Sequence, residues 1–484
     1  MLSVTNSPGA IINWQQFSIG ANEATRFIQQ SAASSVLNRV VGVDPSSILG
    51  TLQSNGRVFL VGSAVDNQGV ITAPGGDIVL AAAKSVRVTE STFVGANTEL
   101  RADAIDSGDG GKVVIWADEF TRYFGNISAR GGANGGSGGA VEVSGKRDLM
   151  FAGVVDTSAP KGAAGTLLLD PDDLYISTGP AGGAIAAAAN PFQANDGTND
   201  YYVLNTTLQP LSASTAVQLQ ANHDIIFQTG LAMATTGAGS ITMTASNAIT
   251  MAGFGLTTAG GSVAMTAGAG GITNLGAISL GSGTLTLNSS GGMTQNAGSL
   301  IAGATSLVKQ GTGTLTLANA NTYTGATTIN AGVLSVSSLA NGGVASNIGA
   351  STAAAANLVL GGGTAVTSGA TLQIANVAIG NEAVTLNGNG VGGNGALSAT
   401  GSVSLAGGVT VNTASTVGVA TGADALTLAG AVDGPGALSL TGAGSVTLGG
   451  TVGSTTALVS LAQSAATTLN LNGGLVRTTG NQTV

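Results

Sequence analysis

The sequence has no cysteine, a single histidine and nine prolines in 484 residues, and only 8% of it is charged. Without cysteine there are no disulfides and no thiolate chemistry. His223 alone cannot supply a multi-histidine metal site, and any histidine-based triad would rest on it. Ordinary globular chains carry about 25% charge. Here the net charge is −9 and no basic patch stands out, which argues against a nucleic-acid partner. Aromatics make up 4%, too few to fill a wide core. No run of 18 apolar residues offers a membrane-spanning helix. The glycines, 78 of them, lack the every-third period of collagen. A mean hydropathy of +0.37 with so little charge excludes a disordered chain. What is present in quantity is Gly, Ala, Val, Leu, Thr and Ser. These suit a narrow core that repeats.

The second half repeats openly. "GSITMTA" starts at Gly239, "GSVAMTA" at Gly261 and "GTLTLNS" at Gly283, at intervals of 22 residues. Apolar and polar residues alternate, which is the period of a strand. A 22-residue period fits one coil of a parallel β-helix, with three short strands and a turn after each. Coils would then stack about 4.8 Å apart. An antiparallel sandwich also uses short Gly-rich strands, but the fixed register favours the solenoid. The period is expected to break near Gly311, because Leu315 lies 30 residues beyond Leu285. In the first half, "GGDIVLAAA", "GGKVVIWAD", "GGAVEVSG" and "GTLLLD" open strands at longer intervals, so coils there are expected to carry longer loops or extra strands.

Charge separates the halves. Residues 1–224 hold 12 Lys/Arg and 20 Asp/Glu, and residues 225–484 hold 2 and 3. The expected division is a β-helix domain over 1–175, an irregular connecting segment over 176–222, and β-helix repeats over 223–484. The stretch 38–50, "NRVVGVDPSSILG", stands out for its charge. "VLNRVVGV" reads as a strand. Asp44 is a good N-cap and Pro45 a good first helical residue, so "DPSSILGTL" predicts one or two helical turns. "SNG" at 54–56 is a turn, followed by the strand "RVFLV".

Three stretches, "IINWQQFSIGANEATRFIQQ", "NRVVGVDPSSILGTLQSNGRVFLV" and "GGKVVIWADEFTRYFGNISARGGANGGSGGAVEVSG", resemble the two-partner-secretion domain of filamentous haemagglutinin-type exoproteins. The resemblance runs from about residue 2 to 176. It implies an all-β chain folded as a right-handed parallel β-helix. It also implies recognition by a dedicated outer-membrane transporter, with Asn38, Arg39 and Val40 matching the family's recognition motif. The family's Asn-Pro-Asn-Gly segment is absent after "VFLV", so a block is expected to be missing after residue 61. The segment at about 307–336, "GTGTLTLANANTYTGATTINAGVLSV", resembles the autotransporter-associated β-strand repeat. The implied function is a secreted or surface-exposed filamentous adhesin of a Gram-negative bacterium, with a host-cell or surface receptor, protein or glycan, as its further partner. The start "LSVTNSPGAIINW" has no signal-peptide pattern, so any signal peptide is expected upstream.

Two other classes share some of these features. An autotransporter passenger would share the repeat near 311 but needs a C-terminal membrane barrel. A polysaccharide-active enzyme needs converging titratable groups. Asp170, Asp172 and Asp173 in "LLLDPDDLYI" are the best candidate calcium ligands, and His223 beside Asp224 the best candidate base. The resemblance reads the first as a segment end, and the second sits at a solvated turn. "GGANGGSGGA" lacks the aspartate of a calcium-binding repeat and the Lys-Ser/Thr of a phosphate loop. The expectation is therefore no enzymatic activity, no metal and no cofactor.

Overall fold

The computed structural model describes residues 1–484 apart from 43, 83–90, 180–201, 212–214, 237–238, 304, 341, 355–356, 361–368, 376–377 and 465–466. The chain divides into two compact units, Met1–Ser246 and Asn247–Val484. Each is a parallel β-solenoid.

In the first unit, short strands follow one another around three faces, and each pairs in parallel with its counterpart one coil on. One face is a seven-stranded sheet built from Leu2–Thr5, Ala24–Ile28, Thr51–Ser54, Val70–Thr72, Glu99–Arg101, Asn126–Ser128 and Val154–Asp156. A second face runs through Ser35–Val40, Arg57–Gly62, Ile78–Ala82, Lys112–Ala117 and Ala140–Gly145. Alternation decides what lies inside. Val36, Val58, Ile78, Val113 and Val141 stack in register and are all at most 1% exposed. Burial of each such side chain contributes about 1.5–3 kcal/mol. On the third face Tyr123 and Phe151 are in register on adjacent strands, and their rings stack 5.3 Å apart.

One helix prediction fails here. Ser46–Ile48 is a strand, not a helical turn, and it pairs in parallel with Val65–Asn67. Pro45 is as much at home in extended backbone as at a helix start, and it pushes Asp44 away from the α region. The neighbouring coil offers a complete set of backbone partners, which a single helical turn would leave open. Ser46 and Ile48 point inward and are fully buried. Across residue 61, after which a missing block is expected, the ladder is continuous: Val58 pairs with Ile78, and Ser46 with Val65. In the expected connecting segment, 180–201 and 212–214 lie outside the described residues. The rest holds Val203–Leu204, a four-residue helix Asn205–Leu208 and the strand Ala216–Ala221, which pairs with Thr166–Leu169.

The second unit keeps the 22-residue period longer than the sequence suggested. Val263 pairs with Leu285, and Leu285 with Leu307. Leu315 belongs to a different face, where its partner 22 residues back is Met293. The break expected near Gly311 came from comparing strands on two adjacent faces. Met265 is fully buried beside Leu287. Beyond Leu307 the coils do vary, with Thr327 pairing with Leu358 across 31 residues.

Candidate secretion site

The residues matching the recognition motif lie on the strand Ser35–Val40, between Ala10–Trp14 and Arg57–Gly62. Their side chains alternate. Asn38 is fully buried and Val40 is 6% exposed, while Arg39 faces solvent. The structure thus splits the motif into two inward residues and one outward one.

Asn38 stands where an apolar rung is expected, between Ile12 and Leu60. Its Oδ1 accepts a hydrogen bond from the indole Nε1 of Trp14 at 3.0 Å, and its Nδ2 donates to the Phe59 carbonyl at 3.3 Å. A buried carboxamide left without these partners would cost about 1–3 kcal/mol. Trp14 packs edge-on against Phe17 at 5.2 Å, and Phe17 stacks over Phe27 at 6.5 Å. Asn38 therefore fixes how the first coil and its aromatic filling sit on the next. Arg39 donates through Nε to Asn13 Oδ1 at 2.8 Å, its direct neighbour in the ladder. That bond uses one of five guanidinium N–H groups, and the side chain remains exposed.

A second polar junction lies at the corner after Ala24–Ile28. Gln29, 5% exposed, donates from Nε2 to Ser54 Oγ and to the Arg57 carbonyl, each at 2.8 Å. Asn55 binds the Gln29 backbone on both sides: its Oδ1 accepts from the Gln29 amide and its Nδ2 donates to the carbonyl. A Cβ at Gly56 would come within 2.7 Å of the Ser31 and Ser34 carbonyls, so the "SNG" turn admits no side chain there. Neither Gln29 nor Asn55 was singled out from sequence. The available signal was parity: Ser54 and Asn38 are polar residues in phase with buried Leu52 and Val36.

The outer surface carries ion pairs between coils. Arg57 Nε lies 3.0 Å from Asp77 Oδ2, and Lys112 Nζ lies 3.9 Å from Glu142. Arg130 bridges Asp103 at 2.9 Å and Asp156 at 4.0 Å. Burial pushes the Asp103 carboxyl up, but hydrogen bonds from Arg130 and Ser128 outweigh it and hold the group below the usual aspartate value.

Two of the three aspartates of "LLLDPDDLYI" have separate structural partners. Asp172 Oδ1 accepts from Asn222 Nδ2 at 2.9 Å, and Asp173 Oδ1 from the Asp224 amide at 3.1 Å. Asp170 is half-buried, and desolvation raises its carboxyl. The His223 amide donates to the Asp172 carbonyl at 2.7 Å, so these residues stitch two coils together. Among the described residues no group of three or more Asp, Glu or His side chains is placed to hold a metal ion. Among them, too, no helix is long and apolar enough to cross a membrane.

In the second unit the polar junctions concentrate between residues 295 and 347. Lys309 is fully buried in the Leu287–Ile329 ladder. Its Nζ donates to the carbonyls of Gln310, Gly311 and Ala331 at 2.8–3.0 Å. Burial lowers its ammonium to about 8, while the three carbonyls favour the charged form. In the same stretch of sequence, Asn321 Oδ1 accepts from Gln295 Nε2 and from the Ile301 amide, and its Nδ2 donates to the Asn347 carbonyl. Asn347 returns a bond to the Asn319 carbonyl.

Residues 4–147 match the family model of the TPS secretion domain, and residues 307–336 that of the passenger-associated-transport-repeat. Over 75 residues the chain is 39% identical to the heme/hemopexin-binding protein of Haemophilus influenzae; that stretch is 16% of this chain but 8% of the relative. Among solved structures, the HMW1 secretion domain of Haemophilus influenzae aligns over 98% of this chain and 94% of its own, at 13% identity and a TM-score of 0.29, too loose to transfer any residue's role. The N-terminal part of the chain is thus similar to a two-partner-secretion domain, and the transport repeat coincides with the buried amide network.

Proposed function

We propose that the first unit is read by a dedicated outer-membrane transporter, and that the second is carried out behind it to act at the cell surface as an adhesive stalk of a Gram-negative bacterium. The observation that carries this reading is the secretion domain over residues 4–147. Arg39 is the motif residue on the surface, and so the one able to touch the transporter. Asn38 and Val40 act from inside, by holding the first coil in place. Haem or hemopexin binding, stated in the relative's name, is left to that protein, because the match covers 8% of it. The reading includes no catalysis. Its support is the sequence itself, which offers one histidine and no cysteine.

The test is to express the whole chain behind a signal peptide, with and without a two-partner transporter, and to measure protein in the medium. Secretion should depend on the transporter. Arg39→Ala should lower secreted yield while hydrogen-exchange protection of residues 10–62 stays intact. Asn38→Ala should lower both. An unmodified chain that no transporter exports would refute the export reading. Unchanged secretion in both variants would refute the assignment of this motif.

A further inference from the structure

The second unit has a groove of about 530 Å³ on its outer surface. We propose that it is a binding site for a neutral glycan chain. This gives the adhesive reading a ligand class and rests on that reading for its biological setting, but it is tested by binding alone, whether or not the chain is exported.

The floor of the groove crosses several coils. Gln373 pairs in register with Ser398, Ser398 with Gly418, and Gly418 with Thr441. Their side-chain positions follow one another at the strand spacing of about 4.8 Å. One wall is the segment 388–395, in which Gly388, Gly390, Gly392, Gly393 and Gly395 all have positive φ. The wall is pinned. Thr371 Oγ1 accepts from the Val391 amide and donates to the Gly395 carbonyl, each at 2.9 Å. The Gly388 amide donates to Thr413 Oγ1 at 3.2 Å, and Thr416 Oγ1 to Asn389 Oδ1 at 3.1 Å. The shape is thus preformed, which lowers the ordering cost of binding.

The lining has unused hydrogen-bonding capacity. The side chains of Gln373, Asn394, Ser398 and Thr441 have no partner among the described residues, whereas Asn412 and Asn387, just outside, bond to each other at 2.8 Å. Val333 and Val391 add small apolar patches. None of the lining residues is ionisable. Of the unit's five charged residues, Lys309 and Glu382 are buried, and Asp424 accepts bonds from Gly401 and Thr421. There is no field here to draw in a charged polymer. An extended peptide is also a poor fit. The strands under the groove are paired on both sides, so its amides would find no open backbone edge. A neutral glycan presents hydroxyl donors and acceptors along its length, has apolar C–H faces, and needs no edge.

The experiment is saturation-transfer NMR on the purified full chain, with short neutral oligosaccharides of the gluco-, galacto-, manno- and xylo-series. Heparin, polygalacturonate and a neutral extended peptide serve as comparisons. At least one neutral series should bind saturably, with an affinity insensitive to salt. The double change Gln373→Ala and Ser398→Ala should weaken binding about tenfold or more, while Asn412→Ala leaves it unchanged. Both sets of changes lie at outward positions, so the fold should survive, as circular dichroism would show. The proposal is overturned if no neutral series binds, if only the charged polymers or the peptide bind, or if binding survives the double change or falls equally with Asn412→Ala.

Discussion

The two units solve the same interior problem with different exteriors. Inside, both stack Val, Leu and Ile in register. Outside, the first unit uses ion pairs between coils, such as Arg57–Asp77 and Arg130–Asp103, and inside it adds the buried aromatics Phe27, Tyr123 and Phe151. The second unit has two aromatic residues, Phe254 and Tyr323, and five charged ones, of which Lys309 and Glu382 are buried. The contrast shows what an apolar ladder cannot do. Alternation and the turns set which side chains face inward, but rungs of like residues discriminate weakly between neighbouring coils, and polar groups with specific partners add that discrimination. The first unit finds them in Asn38, Gln29 and surface charge. The second finds them in the amide network from Gln295 to Asn347.

The largest effect should come from attacking what the units share. Met265→Asp places an unpaired charge in the apolar ladder and should cost about 4 kcal/mol or more. Thr266→Asp, the next and outward residue, should cost less than about 1 kcal/mol. Thermal unfolding compares them, and equal shifts would contradict the alternation. Next, Asn321→Ala removes three hydrogen bonds among buried groups and should cost about 3 kcal/mol. If denaturant melts showed no loss, the amide network would not be what fixes this part of the second unit.

A smaller effect separates the units by pH. Glu382 is 3% exposed, its Oε1 has no hydrogen-bond partner among the described residues, and burial raises its carboxyl from 4.5 to about 7. A raised acid favours the native state when protonated. Its contribution is full below about pH 4.5 and is lost as pH rises through about 7. Glu382→Gln should therefore match the parent near pH 4 and exceed it by about 1–2 kcal/mol at pH 8. Equal stability at both ends would contradict the buried carboxylate.

The smallest effect belongs to the first unit and has the opposite sign. Asp103 is held below its ordinary value, so its contribution is present above pH 3.8 and lost as pH falls through the lowered value. Asp103→Asn should cost about 1 kcal/mol or less at neutral pH, because Arg130 is half exposed and screened. High salt should shrink that difference further. A cost independent of salt would mean the carboxylate acts mainly through its bonds to Ser128 and the Arg130 amide.

Much of this was legible in the chain. Alternation marked Ile78–Ala82, Lys112–Ala117 and Ser262–Ala267 as strands, glycine marked their starts, and the 22-residue interval implied stacked coils. Alternation has only two phases, however. It says whether a side chain points in or out, but not which of three faces its strand joins. By alternation alone Leu315 matches Leu285 as well as it matches Met293, its true partner. Local preference likewise favoured a helix after Asp44, until the neighbouring strand Val65–Asn67 supplied a better set of backbone partners. The sequence by itself determined the solenoid, its apolar ladders and the secretion-domain character of its N-terminus, because these rest on short-range pattern. The tertiary structure alone decided that Asn38 binds Trp14, that Gln29 joins Ser54 and Asn55, and that Lys309 closes on Ala331. Each of those bonds links residues 22 to 26 apart, across loops of variable length. Only closing the coil brings the partners within reach.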